Sequence, residues 1–252
     1  MNAHRKMARL QQGFSLIELM VSMAIGLFLL AGAISVLGKG RDLYRTNDAA
    51  ARLQETARYA MSTIEADLRM ANYWGLNSRA DLVANGPTLD LVNPPAVDPA
   101  YSLPATLTGY AAAINSCGAM WAVKLPAYVE GNNNGYGYAC QAISNMPALL
   151  SDQLTVRRAS SQPPICFPDG NPFGCTGTLA ASAGQIKVAT SRVQGTLFAD
   201  GVIPAGYSTL LSEARPLVVN GYYVALGSDQ DQVTPSLRRK QLPTDATQPI
   251  VD

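Results

Sequence analysis

The sequence predicts an α+β protein in which a long N-terminal helix, apolar in its first half and amphipathic in its second, packs on an antiparallel β-sheet head domain. Three observations predict it. Residues 14–37 form an apolar run in which Glu18 is the only charged side chain. Apolar residues then recur at intervals of three and four as far as Ala71. From Leu76 onward that period gives way to short β-prone runs between Pro-, Gly-, Asn- and Ser-rich turns.

The apolar run is long enough to cross a bilayer as one helix, since about 20 residues at ~1.5 Å each span the ~30 Å hydrocarbon core. The basic flank before it, His4, Arg5, Lys6 and Arg9, predicts a cytoplasmic N-terminus and an exported C-terminal region. A cleaved secretory signal with a small-residue site at Ala31-Gly32-Ala33 is the plain alternative. Against it, the run exceeds the usual ~7–15 residue apolar region, continues through Ile34, Val36 and Leu37, and contains a glutamate. A carboxylate at that depth costs roughly 2.5–3.5 kcal/mol on insertion scales, so Glu18 is expected to have a function and a positive partner.

Leu53, Ala57, Ala60, Met61, Ile64, Leu68 and Ala71 make one helical stripe, with Arg52, Glu55, Arg58, Ser62, Glu65 and Arg69 on the other faces. The stripe is expected to pack on the head. Together the two halves predict one helix of about 55–60 residues, with a break expected at Gly38 and Gly40.

A short basic leader ending in Gly13, followed by Phe14 and by Glu18 four residues on, resembles the class III signal of type IV pilins. The resemblance implies that prepilin peptidase cuts after Gly13 and methylates the new N-terminal Phe14. It also implies that Glu18 pairs with a neighbouring subunit's N-terminal amine when helices pack into a filament. That pairing is sound chemistry, because two charges that each lose hydration offset much of the loss by docking together, and the contact fixes axial register. Many pilins carry a proline where this chain has Ser35, so local melting would rely on Gly32, Gly38 and Gly40. Arg52-Leu53-Gln54-Glu55 and the segment from Asp67 to Gly75 narrow the resemblance to PilW-type minor pilins. The implied organisation is a leader over 1–13, a membrane and assembly helix over 14–37, its amphipathic continuation over 38–75 and a periplasmic head over 76–252. The implied partners are prepilin peptidase, the major pilin and other minor pilins, the inner-membrane assembly platform and the lipid bilayer. Pilus filaments of this kind serve cell adhesion and twitching motility.

Within the head, Leu154-Thr155-Val156 inside Asp152–Arg158 and Ile186-Lys187-Val188 alternate as strands. Leu217-Val218-Val219 and Tyr222-Tyr223-Val224 flank Asn220-Gly221 and predict a hairpin. Residues 77–135 read as long connecting loops with a short helix near Ala111–Ile114. The tract Gly131-Asn132-Asn133-Asn134-Gly135 reads as a flexible turn.

The chain of 252 residues carries a formal charge of +1, and removal of residues 1–13 with Arg5, Lys6 and Arg9 leaves −2. That balance lacks the basic footprint of a nucleic-acid binder, and Arg157-Arg158 and Arg238-Arg239-Lys240 read as solvated strand ends. The four cysteines Cys117, Cys140, Cys166 and Cys175 all fall in the exported part, where oxidising conditions favour disulfides. Of three connectivities, the local pairs Cys117–Cys140 and Cys166–Cys175 are favoured because each closes a loop with little core of its own. The single histidine, His4, lies in the leader, so the mature chain has no Ser/His or Cys/His dyad and no Cys/His zinc spacing. No phosphate- or dinucleotide-binding motif is present, and Ser228-Asp229-Gln230-Asp231-Gln232 lacks the glycine and terminal glutamate of a calcium loop. The expectation is therefore a protein without catalytic residues, metal or cofactor. Its expected role is that of a minor pilin that primes pilus assembly. J-type secretion pseudopilins, and a membrane-anchored binding module or adhesin, are the alternative readings.

Overall fold

The computed structural model describes residues 13, 15–89, 97–142, 151–167, 174–207, 211–227 and 235–245. Phe14 and the polar tract at 228–232 lie outside them. The chain divides into two compact units, residues 1–61 and 62–252, and the first helix, α1 (Leu16–Arg69), runs from one into the other.

In the first unit α1 is unbroken. The helix passes through Gly38 and Gly40 without interruption, which corrects the expected break. Each glycine costs about 1 kcal/mol relative to alanine, and a helix of 54 residues absorbs that without ending. A methyl group at Gly26, Gly32, Gly38 or Gly40 would meet nothing within 4 Å. An exposed pair, Arg52 Nε to Asp48 Oδ2 at 3.0 Å, joins adjacent turns and adds a few tenths of a kcal/mol.

In the second unit a nine-stranded sheet is present among the described residues. Its strands are β1 (Val83–Ala84), β2 (Val129–Asn132), β3 (Gln153–Ala159), β4 (Ile165–Cys166), β5 (Thr176–Thr178), β6 (Lys187–Ser191), β7 (Gly195–Phe198), β8 (Ser212–Ala225) and β9 (Ser236–Gln241). The sheet is largely antiparallel, as expected, and mixed at its margins, where β1 runs parallel to β7 and β4 parallel to β5. The main path is β1-β7-β6-β8-β3-β2. Strand β8, 14 residues long, is its spine. Its first half pairs with β6 and β4 and its second half with β3 and β9. Leu217 N–H donates to Ile186 O while Val219 O accepts from Leu242 N–H. Residues two apart face the same edge of a strand, so β6 and β9 share one edge of β8.

The expected hairpin at Asn220-Gly221 does not exist, because both residues lie mid-strand in β8. Type I′ turns need positive φ at both central residues, and neither has it. Gly221 is there for space: a Cβ would sit 2.7 Å from the Tyr138 hydroxyl oxygen and 2.9 Å from its ring carbon Cζ. Tyr138 is held by Thr155 Oγ1 at 2.9 Å and packs edge-on to Trp121 and Tyr136. Gly221→Ala is therefore expected to destabilise the head by about 1–3 kcal/mol through overpacking. Thermal unfolding of the full chain in detergent, followed by near-UV circular dichroism, checks this; an unchanged midpoint would show that the ring moves freely.

Residues 77–135 are more than connecting loops. They contain the short helices α2 (Ala105–Thr108) and α3 (Ala111–Ile114), the latter where the sequence places one. They also contribute Leu107, Ile114, Trp121, Val123 and Leu125 to the larger core cluster, together with Trp74, Val188, Leu197, Val219 and Tyr223. A second cluster of Ile165, Phe167, Leu179, Ala189, Phe198 and Ala214 gathers separately. Alternate residues of β6 and β7 thus belong to different clusters, and both strands are buried almost throughout. The tract at Gly131 is strand in part, since Gly131 and Asn132 close β2 and only the residues after them turn.

Candidate functional site

Two places concentrate chemistry: the start of α1 and the point where its last turns enter the sheet. At the start, Ser15 O accepts Leu19 N–H at 3.2 Å, and Glu18 occupies the first turn. An acid there suits the positive end of the helix dipole. Ser22 Oγ donates to Glu18 O at 2.7 Å, so the serine hydroxyl is satisfied within the helix. Among the described residues no side chain pairs with the Glu18 carboxylate. Leu16, Ile17, Leu19, Met20, Phe28 and Leu30 are all exposed, and an 18-residue window of α1 reaches a mean hydropathy of 2.3 with none of it buried. This is one helix long and apolar enough to cross a membrane. Gly13 lies just before it.

At the other end of α1 the expected apolar stripe is corrected. The one buried residue of the helix is Asp67, while Leu68 remains 40% exposed. Asp67 Oδ1 accepts from Arg158 Nε at 3.1 Å and Nη2 at 2.8 Å; Oδ2 accepts from Tyr222 Oη at 2.6 Å and from Asn220 Nδ2. Burial alone would raise the Asp67 carboxyl, but the donors Tyr222, Asn220 and Arg158 hold it below the usual carboxylate range. Burial and the Asp67 charge together push the Tyr222 phenol up. An acid in the last turns of a helix faces the negative end of the dipole, so this position is stable only because β3 and β8 supply a cation and two further donors.

The chain after α1 is then locked into the sheet. Asn72 takes a positive φ of 65°, turning the chain out of the helix. Fully buried Trp74 donates its indole N–H to Asn72 Oδ1 at 2.7 Å, and Thr190 Oγ1 donates to Trp74 O at 3.0 Å. Gly75, at φ +105°, lies against the Glu213 carboxylate and Thr190 Oγ1, where a Cβ has no room. Glu213 is in turn held by Arg215, through Nε to Oε1 at 2.8 Å and Nη2 to Oε2 at 3.0 Å.

Of the two basic runs, Arg157-Arg158 is not a solvated strand end. Arg157 is fully buried, donating to Trp121 O at 2.7 Å and, through Nη2, to Glu130 Oε2 at 2.9 Å; Arg158 holds Asp67. Burial would raise the Glu130 carboxyl, but Lys124 and Arg157 bring it down. In the second cluster Lys240 is buried over the Tyr223 ring while Arg239 is exposed. Lys187 is also buried, its ammonium donating to Ser182 O at 2.6 Å and Gln185 O at 2.8 Å, and burial lowers its pKa to about 8.

The cysteines are joined as Cys117–Cys140 and Cys166–Cys175. Among the described residues no three His, Cys, Asp or Glu side chains are grouped to hold a metal. Sequence reasoning missed Asp67, Asn220 and Tyr222. The available signal was an aspartate in the last turns of a helix, where a carboxylate needs a specific partner.

Residues 8–34 match the family model for the prokaryotic N-terminal methylation motif. The chain carries that motif. It includes Gly13, Phe14 and Glu18 and extends through the apolar half of α1. The chain is also similar to the pilin-like protein PilA3 of Thermus thermophilus, at 36% identity over 67 residues, which are 26% of this chain and 29% of that protein. It thus matches under a third of that relative's length. No solved structure matches the chain. Over the stretches that match, the chain is similar to the prokaryotic N-terminal methylation motif and to a pilin-like protein. The apolar helix behind the motif fits a single-pass anchor in the inner membrane.

Proposed function

We propose that the protein is a minor pilin of the PilW type, cleaved by prepilin peptidase after Gly13 and methylated at Phe14, that primes type IV pilus assembly from the inner membrane. The observation that carries this reading is the methylation motif over residues 8–34, set on an uninterrupted exposed helix with one acid in its first turn. In this reading residues 1–13 are a cytoplasmic leader, 14–37 insert in the bilayer, 38–75 continue the helix and 76–252 form a periplasmic head. The Glu18 carboxylate receives the methylated amine of a neighbouring pilin, and two charges that would each be costly in hydrocarbon are brought together. The remaining association energy comes from apolar helix packing against the major pilin and other minor pilins on the assembly platform. No cofactor enters, and the head's buried charges have structural partners of their own.

Intact mass and N-terminal sequencing of the protein recovered from membranes of cells with and without prepilin peptidase test the reading. Methylated Phe14 is expected as the first residue only where the peptidase is present. An intact Met1 in both strains, or a start near Ile34, sinks it.

A further inference from the structure

The chain contains the pair Asn-Gly three times, at Asn85-Gly86, Asn134-Gly135 and Asn220-Gly221. In such a pair the backbone nitrogen of the glycine can attack the asparagine side chain, because glycine has no Cβ to obstruct the approach or restrict the backbone. Folding decides which copies can react. The attack needs a side-chain amide free to swing, a following N–H outside any ladder, and room for the backbone to bend into a cyclic imide. Asn220 lies mid-strand in β8 with its amide donating to Asp67 Oδ2, and Gly221 is paired with Lys240 and pressed against Tyr138. Asn85 donates its amide to Thr196 Oγ1 at 2.9 Å and to Leu197 O at 3.1 Å, and its carbonyl accepts from Tyr101 Oη at 2.8 Å. The space beside Gly86 is filled, since a Cβ there would touch Val123 O, Leu197 and Leu125 at 3.5 to 3.7 Å.

Asn134 differs on every count. It is exposed in the turn after β2, and among the described residues no hydrogen bond holds its side chain. Its backbone N–H is fastened to Asp152 Oδ1 at 2.9 Å, which leaves the amide free. Gly135 N–H donates to no described residue, and a Cβ at Gly135 would meet nothing within 4 Å. Asn85 and Asn134 share a positive φ, 66° and 57°, so tethering and packing distinguish them rather than backbone conformation. We propose that Asn134 is a site of spontaneous deamidation, the one Asn-Gly pair that converts in the folded protein. The Gly135 nitrogen attacks Asn134 Cγ, the new C–N bond closes the imide as the Cγ–Nδ2 bond breaks, and the Gly135 amide proton leaves with Nδ2 as ammonia. Water then opens the imide at either carbonyl, leaving an aspartate or an isoaspartate, and no other co-reactant is needed. The product adds a second carboxylate to the turn that Asp152 fastens, between the end of β2 and the start of β3. This inference does not depend on the filament reading.

The other two pairs serve as internal controls. The full chain in detergent is incubated in heavy-oxygen water at mildly alkaline pH, with a second sample in denaturant, and both are digested in ordinary acidic water for mass spectrometry. Heavy oxygen enters only during the incubation, so conversion during digestion is not counted. In the folded protein Asn134 is expected to take up label at least about tenfold faster than Asn85 or Asn220, whose reaction waits on local opening. In denaturant the three rates are expected to converge. Gly135→Ala is expected to slow labelling at Asn134 about tenfold by placing a Cβ beside the attacking nitrogen, and near-UV circular dichroism reports whether the variant is folded. Labelling at Asn134 no faster than at Asn85 or Asn220 in the folded protein overturns the proposal. Unchanged labelling in Gly135→Ala also overturns it, because the attack would not then pass through the Gly135 nitrogen.

Discussion

Glu18→Leu is expected to insert into the membrane at least as well as the native chain and to be lost from filaments. Removing the carboxylate relieves an insertion cost of roughly 2.5–3.5 kcal/mol. In the filament proposed above, the same change would leave a neighbour's ammonium in a low-dielectric core without its partner, and breaking a buried pair in this way costs about 3–5 kcal/mol. That corresponds to roughly a 150- to 5,000-fold loss of incorporation. Glu18→Gln keeps shape and length while removing charge, so it separates the ion pair from packing. Quantitative immunoblots of membranes and of sheared surface filaments measure both quantities. Equal filament signals for native chain, Leu and Gln variants would show that Glu18 has no part in assembly.

Asp67→Ala is expected to have the largest effect on the head, about 3–5 kcal/mol, because it strands Arg158, Asn220 and Tyr222 around an empty position. Combining it with Arg158→Met is expected to restore part of the loss, since the uncompensated cation then disappears. The pH dependence has a definite sign. The native Asp67 carboxyl lies below its usual 3.8, so the native state binds fewer protons than the unfolded chain in that range. Its contribution is fully present above about pH 5 and is lost as pH falls through the native value. Tyr222 is raised in the native state above 10, so its contribution holds below pH 10 and falls away at higher pH. Unfolding midpoints of the full chain in detergent from pH 2 to pH 7 are expected to fall steeply on the acid side for the native protein and much less for Asp67→Ala. Parallel curves would place the acid sensitivity elsewhere.

The parts of this molecule legible in its sequence are those whose cause is local. Hydropathy alone marks the apolar half of α1, and the strands around Thr155 and Lys187 show in their β-prone runs. What escaped was set by partners distant in sequence. Asn220-Gly221 has the composition of a turn, yet Asn220 is there to donate to Asp67, 153 residues away, and Gly221 to admit Tyr138. Leu107, Ile114, Trp121 and Leu125 enter the core from short helices and turns, where no period of 2 or 3.6 has room to develop. Arg157 and Arg158 read as surface charge because nothing beside them announces Glu130 or Asp67. At the start of α1 the spacing from Gly13 to Glu18 was visible at once, whereas the Asp67 cluster needed the fold.

The position of Asp67 also governs how the head bears load. A pull along α1 is delivered to the sheet through Asp67 to Arg158 in β3 and to Asn220 and Tyr222 in β8. Because β8 is laddered to β3, β4, β6 and β9, tension entering there is spread over many backbone hydrogen bonds at once. The last turns of α1 are therefore tied to two strands at once, and any load that Asp67 passes on enters the sheet at its most heavily paired strand.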